Sequence, residues 1–443
     1  MVTTVDETTE LLQQLIRNRC VNDGTPDSGG EVRNAETLAA YLAGPGVEIE
    51  RYEPHPGRSS LVLRVEGRDR RAPSLLLMGH TDVVPADPTG WQRDPFGGEL
   101  VAGEVWGRGA LDMLCMTATM AVVIKRLLAG GFRPNGTLIF AGVADEESRG
   151  TYGASWLTQH AWDAVRADAV LTESGRRNSL PTLGGPKAIM NVAEKGSHWM
   201  TLRTNGTPGH GSAPYKADNA LAKAADVVRR LVTYKPPLHL DGQWRAFVEG
   251  MQFVPELSAG LLSADRFYET IDALPPGVAK GFDALVHTTF SPNVLHGGMK
   301  ANIIPDSATL QIDIRTLPGD ETPQVHAMLR EALGELWNEV EIIEENPDPA
   351  SASSPDTPIF RVMCEVTKKV TGADVVPGST GGLTDCRFFR RKGMPAYGYS
   401  VLSAKIPIAE LATMFHGRNE RIDQESLRLM LELYEQTVRA YLS

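Results

Sequence analysis

The sequence predicts an α/β fold: a mostly parallel sheet with helices on both faces, interrupted by an inserted α+β domain. Three observations carry that expectation. Apolar runs at 74–79, 137–143 and 168–172 alternate with helical patterns, as strands buried on both faces do. Near 194 the texture changes to one-sided strands: in ATLQIDIR (308–315), Leu310, Ile312 and Ile314 share one face while Gln311, Asp313 and Arg315 share the other. Beyond 318 the α/β pattern resumes. At 443 residues, two cores are expected. The predicted division is a main domain over 1–193 and 319–443, with the insertion over 194–318.

In chain order, Leu11, Leu12, Leu15 and Ile16 mark one helical face with Asp6 as its N-cap. Ala35, Leu38, Ala39 and Leu42 mark a second helix, stopped by Gly44-Pro45-Gly46. Strands follow at 47–52 and 61–66, before the 74–79 run. The Gly-, Pro- and Trp-rich stretch 86–110 reads as a long functional loop, and 113–129, apolar nearly all round, as a buried helix. A helix over 151–159 separates the later runs. In the insertion, WMTLRTN (199–205) alternates as a strand and 217–232 is an amphipathic helix. The resumed pattern comprises a helix at 323–333, an EVEII strand, a helix at 357–370, the strand PAYGYS (395–400) and a closing helix at 424–441. NPDPASASSPD (346–356) reads as a surface loop.

Hydrophobic content of 42% with 22% charged residues is ordinary for a globular protein. Lys+Arg 44 against Asp+Glu 55 leaves a net charge of −11, which argues against nucleic acid as a partner. No apolar stretch approaches the roughly 20 residues of a membrane span, and the acidic, helical start carries no secretory signal pattern. Cys20, Cys115, Cys364 and Cys386 are scattered without C-x-x-C spacing, so a reduced cytoplasmic setting is expected.

The chemistry-bearing residues stand at the ends of the buried runs. SLLLMGHTDVVPAD (74–87) ends in His80-Thr81-Asp82, TLIFAGVADEESRG (137–150) in Asp145-Glu146-Glu147, and DAVLTESG (168–175) in Glu173. Charged groups are rarely buried unless paired or metal-bound, and open α/β sheets bind ligands beyond their strand ends. Zinc accepts imidazole nitrogen and carboxylate oxygen, and paired hydrolytic metals need a bridging carboxylate. His80, Asp112, Glu147, Glu173 and His416 form a candidate five-ligand set, with Glu146 left as a base.

GHTDVVPA (79–86), WQRDPFGG (91–98), GRGALDM (107–113), DEESRGTYG (145–153), TESG (172–175), GHGSAP (209–214), ANIIPD (301–306) and HGRNER (416–421) follow one another as in a known family. The chain resembles the aminoacylase, carboxypeptidase G and succinyl-diaminopimelate desuccinylase family of dinuclear zinc hydrolases, from about residue 8 to 440. The resemblance implies a zinc-peptidase-like domain interrupted by a lid that dimerises. It implies His80 and Glu173 on a first zinc, Glu147 and His416 on a second, and Asp112 bridging both. Asp82 would hydrogen-bond the far ring nitrogen of His80, and Glu146 would be the general base. His210 would reach the partner subunit's site and donate to the oxyanion. Asn302 and Arg315 would hold the substrate carboxylate, the latter through its bidentate fork. GSTGGLTDCRFF (378–389) resembles a substrate-contacting glycine-rich loop.

Leu114 and Cys115 depart from the Lys-Gly that many members carry after the bridging Asp. Cys115 sits in the apolar helix and reads as a small hydrophobe rather than a nucleophile. The long, helical stretch 234–300 places the chain nearer the aminoacylase-like branch. The expected function is a homodimeric amidohydrolase with two Zn²⁺ per subunit (Co²⁺ or Mn²⁺ also suit such donors), cleaving the amide of an N-acyl amino acid or short peptide next to a free carboxylate. A dipeptidase or carboxypeptidase, or a hydrolytic deaminase of a small xenobiotic amine, could use the same machinery. A non-catalytic binding protein would be expected to have lost Glu146 or a ligand, and all are present.

Overall fold

The computed structural model describes residues 3–44 and 47–443. Before the insertion, the large sheet takes up β1 (Glu48–His55), β2 (Arg58–Val65), β3 (Leu75–His80), β4 (Leu138–Val143), β5 (Ala169–Thr172) and β6 (Lys187–Glu194). The insertion contributes β7 (Gly196–Asn205), β8 (Thr289–Gly297), β9 (Ser307–Thr316) and β10 (Val340–Asp348). The chain returns through β11 (Ser351–Ala352), β12 (Asp374–Thr380) and β13 (Ala396–Gly398).

The large sheet runs β1-β2-β4-β3-β5-β13-β6-β11, with β12 also paired to β6. Its centre, β4-β3-β5-β13, is parallel. Strand β3 is buried throughout because it is covered on both faces. Leu75 and Leu77 pack with the helices Thr4–Arg17, Leu114–Ala129 and Gln424–Leu442, while Leu76 and Met78 pack with Ala154–His160 and Cys386–Arg391. Gly79 is the residue that allows this closeness, since a Cβ there would lie 2.3 Å from Thr117 Oγ1 of the overlying helix. The predicted mostly parallel α/β sheet is therefore present.

The second sheet, β8-β9-β7-β10, is antiparallel. The helices Ala220–Thr233 and Thr322–Leu333 cover one face, burying Leu310, Ile312 and Ile314. This corrects the predicted end of the insertion at 318. Val325, Leu329 and Leu333 of the second helix join the small core, and β10 pairs with β7 rather than returning to the large sheet. The large sheet resumes at β11, beside Glu194 and Ala193 of β6. A second correction concerns 242–285, assigned to the insertion: its four short helices bury Trp244, Phe247 and Phe282 against Ile189 of β6 and Val376 of β12, so they clothe the large sheet.

Three smaller expectations change. Thr3, not Asp6, caps the first helix; Asp6 is the reciprocal partner in a capping box. The stretch 86–110 contains a hairpin, Glu99–Val101 with Glu104–Trp106, extended by Arg421–Asp423. Within 346–356, Ser351 and Ser353 are buried, donating to Glu194 and to the Ala396 carbonyl, because β11 completes the sheet edge. The Pro45-Gly46 helix stop lies outside the described residues. No helix among the described residues is long and apolar enough to cross a membrane.

Candidate metal centre

Strand ends and two adjoining turns converge at the carboxyl edge of the parallel strands. His80 ends β3, Glu173 follows β5, and Glu146 and Glu147 form a tight turn after β4. Asp112 precedes the helix Leu114–Ala129, and His416 follows Ile408–Met414. Two groups of donor atoms result, His80, Asp112 and Glu173 in one and Asp112, Glu147 and His416 in the other, each lying within 4.8 Å of one another. Asp112 belongs to both. Its Oδ1 is 3.3 Å from His80 Nε2, and its Oδ2 is 3.4 Å from His416 Nε2. His416 Nε2 also stands 3.2 Å from Glu147 Oε2. All five predicted ligands are thus brought together, and Glu146 Oε2 approaches to 4.0 Å from His80 Nε2.

Whether divalent ions fit can be judged from this arrangement. Three carboxylates and two imidazoles face one another, the donor set that Zn²⁺ and similar ions accept. Glu147 Oε1 is buried with no hydrogen-bond partner among the described residues, an orphan that an ion would satisfy. The ionisation of the metal-free cluster shows the same need. Burial and the neighbouring Asp112 push Glu173 up to about 8, and burial with the charge of Glu173 raises Glu146 well above the carboxylate range. Hydrogen bonds to Asp112 and Glu147 raise His416 to about 10. Burial disfavours charged His80, yet Asp112, Glu146 and Glu173 together raise it well above its ordinary value. Burial would raise Asp112, but the two imidazoles outweigh it and hold the carboxyl low. Protons stand in where cations would neutralise the cluster.

The expected bond between the Asp82 carboxylate and His80 needs correction. His80 Nδ1 lies 3.0 Å from the Asp82 main-chain carbonyl and 3.6 Å from its carboxylate. That carbonyl still sets the ring, leaving Nε2 towards Asp112. The carboxylate instead accepts the backbone N–H of Glu147 at 3.1 Å and of Glu146 at 3.3 Å, and Asn22 Nδ2 at 2.8 Å, so it shapes the turn of both acids. Behind that turn, Arg58 binds Glu31 and Asp145, all buried, and Asp145 is held at φ 68°. Sequence reasoning missed this scaffold.

On the small domain, His210 is exposed, and its Nδ1 accepts the Ser212 N–H at 3.1 Å, which places the ring proton on Nε2. Asn302 lies beside it through a bond from the Gly211 N–H to its carbonyl, 2.8 Å. Among the described residues, no hydrogen bond or ion pair joins either to the metal cluster of the same chain. Arg315 is corrected: its fork is filled by Asp313, with Nε–Oδ1 2.7 Å and Nη2–Oδ2 3.0 Å, because both side chains emerge on the same strand face. Asp385, in the predicted glycine-rich loop, was not singled out. It is buried, neither oxygen accepts a hydrogen bond among the described residues, and burial pushes its carboxyl up to about 7 despite Arg387. Cys115 is fully buried and its thiol is pushed up by burial, as a small hydrophobe would be.

The profile of peptidase family M20/M25/M40 matches residues 76–440. The N-fatty-acyl-amino acid synthase/hydrolase of Xenopus tropicalis is 26% identical over 393 residues, covering 86% of this chain and 75% of its own. Aminoacylase-1 of Sus scrofa is 26% identical over 449 residues, covering 98% and 95%. Among solved structures, an M20 family metallo-carboxypeptidase from Sulfolobus solfataricus matches with a TM-score of 0.71 at 18% identity, covering 100% of this chain and 99% of the other. A dinuclear metal binding peptidase of the M20 family from Bacillus subtilis matches with a TM-score of 0.61 at 15% identity, covering 98% of each. These two likenesses show a shared fold.

Proposed function

The chain belongs to peptidase family M20/M25/M40, and from that premise we propose that it is a dinuclear zinc amidohydrolase of N-acyl amino acids or short peptides. The observation that carries the reading is the sharing of Asp112 between two donor groups. His80 and Glu173 would hold one ion, Glu147 and His416 the other, with Asp112 between them. Bound there, two divalent cations would polarise the scissile carbonyl and lower the pKa of the attacking water towards neutrality.

The chain's own groups supply the proton traffic. Glu146, beside the cluster but in neither donor group, accepts the water's proton and returns it to the leaving amine. His210, with its proton on Nε2, donates to the carbonyl oxygen as charge develops there. Its exposed position on the small domain suits a site completed by a partner subunit. Homodimerisation is supported by β8, which ends its sheet with an edge unpaired among the described residues and exposes Val294 and Leu295. Asn302, placed next to His210, would bind the substrate carboxylate. Four free cysteines fit a reducing, cytoplasmic setting.

Sequence relatives spanning nearly the whole chain favour an acyl amino acid as substrate. The test is a hydrolysis screen over N-acyl amino acids, dipeptides and N-succinyl amines with zinc, cobalt or manganese added. Turnover of amides bearing a free α-carboxylate is expected, with N-acyl amino acids ahead of dipeptides. No turnover of any such amide by the metal-loaded protein would refute the reading; preference for dipeptides would reassign it to a peptidase.

A further inference from the structure

One buried ion pair fastens the turn that carries Asp112 to the loop that carries His416. Glu420 is fully buried, four residues beyond His416. Its Oε1 accepts three backbone N–H groups, from Gly109 at 3.0 Å, Leu111 at 2.8 Å and Asp112 at 3.1 Å. Its Oε2 accepts Arg108 Nη1 at 2.7 Å. Arg108, 3% exposed, uses Nη2 to reach the carbonyl of Gly417 at 2.9 Å, one residue from His416. The main chain adds a bond from the Gly107 N–H to the Glu420 carbonyl, 2.9 Å.

His80 and Glu173 need no such fastening, since each is delivered by a buried strand. His416 does. Its side chain is 57% exposed and its backbone sits at φ 55°, so little packing fixes the ring. The Arg108–Glu420 pair grips both main chains at once. Charge-assisted bonds to a carboxylate are the strong ones, and removing one partner of a buried pair leaves the other uncompensated.

We propose that Glu420, acting with Arg108, is a positioning residue for the half-site of Glu147 and His416. The inference rests on the two-ion reading above. It predicts that the pair governs the second ion most, while the first, held also by His80 and Glu173 from buried strands, weakens only as far as the Asp112 turn loosens.

The test strips the full-length protein of metal and titrates it with zinc against a chromophoric chelator, for wild type, Glu420→Gln and Arg108→Lys. Wild type should take up two ions per chain. Each variant should bind one ion within a few-fold of wild type and the other about 10–100-fold more weakly, the usual cost of losing an outer partner of a metal ligand. Amide exchange in the metal-free variants should quicken at 107–112 and 416–421 and stay unchanged at 75–80 and 169–172. A folded variant with two wild-type affinities, or one that loses both ions alike, overturns the inference. If Glu420→Gln does not fold, Arg108→Lys decides by the same readings. A wild type that binds only one ion refutes the two-ion reading instead.

Discussion

The two halves of the candidate metal centre are built by opposite means. His80 and Glu173 stand at the ends of β3 and β5, whose residues are buried between two helical layers. Glu147 and His416 stand on a short turn and a loop. Their placement depends on buried polar scaffolds: Asp82, Asn22 and the Arg58–Glu31–Asp145 cluster for the first, Arg108–Glu420 for the second. A hydrophobic sheet delivers a ligand's backbone by packing alone, leaving a single polar contact such as the Asp82 carbonyl to set the His80 ring. A loop relies on pairs of buried charges to do so, because an unpaired one is costly. Asp112 belongs to both halves and is the residue on which they depend together.

The largest break in that comparison is Asp112→Ala. Both ions should be lost, and activity with them, since each donor group loses a member. Elemental analysis showing one ion still bound would mean that Asp112 serves a single half. Next in size is Glu146→Gln, which should lower turnover about 10²–10⁴-fold with metal content unchanged, the outcome required of the proposed base that is not a ligand. Mixed with a His210→Ala variant, it should regain activity, since the proposed dimer, once mixed, would hold one site with both residues intact. Recovery absent despite proven subunit exchange would confine His210 to its own chain or to no role.

His416→Ala sharpens the contrast. It should remove one ion and leave the cooperativity of unfolding unchanged, since the ring is largely exposed. His80→Ala should remove the other ion and also lower the melting temperature, because its side chain is 1% exposed and packed into the sheet edge. Equal melting temperatures for the two variants would erase the distinction between strand-built and loop-built halves.

What the residues themselves disclosed divides along the same line. The runs ending at His80, Glu146-Glu147 and Glu173 are legible because a buried parallel strand has no polar face, so a charge at its end stands out. The end of the insertion was not legible. EVEII alternates in the same way whichever sheet it joins, and pairing with β7 is a choice made far along the chain. The same remoteness hid Arg108, Glu420, Arg58 and Glu31. Loop charges read as solvated until partners such as Glu420 and Asp112, 308 positions apart, meet. Ser351 and Ser353 misled similarly: a serine-rich stretch resembles a surface loop unless its hydroxyls find buried acceptors. Arg315 was plausible as a carboxylate fork, and only the strand's pleat revealed Asp313 already in it.

The smallest expected effect is on pH dependence, and its sign follows from the metal-free cluster. Glu173 rises from 4.5 to about 8 and His416 from 6.5 to about 10, so the folded chain binds more protons than the unfolded one. The stability of the metal-free protein should therefore fall as pH rises from about 5 to 10. Ion binding needs Glu173 ionised and His416 neutral, so it should release protons and tighten with pH over the same range. Calorimetry in buffers of different ionisation enthalpy would detect the release. Uptake of zinc without proton release at pH 7 would remove one of these groups from the ligand set.

The account's central claim, two ions sharing Asp112, is tested most directly by anomalous diffraction at the zinc edge from crystals of the metal-loaded protein. Two peaks are predicted per chain, one against His80 and Glu173, the other against Glu147 and His416, with one oxygen of Asp112 towards each. A single peak, or a second one away from Glu147 and His416, would contradict it.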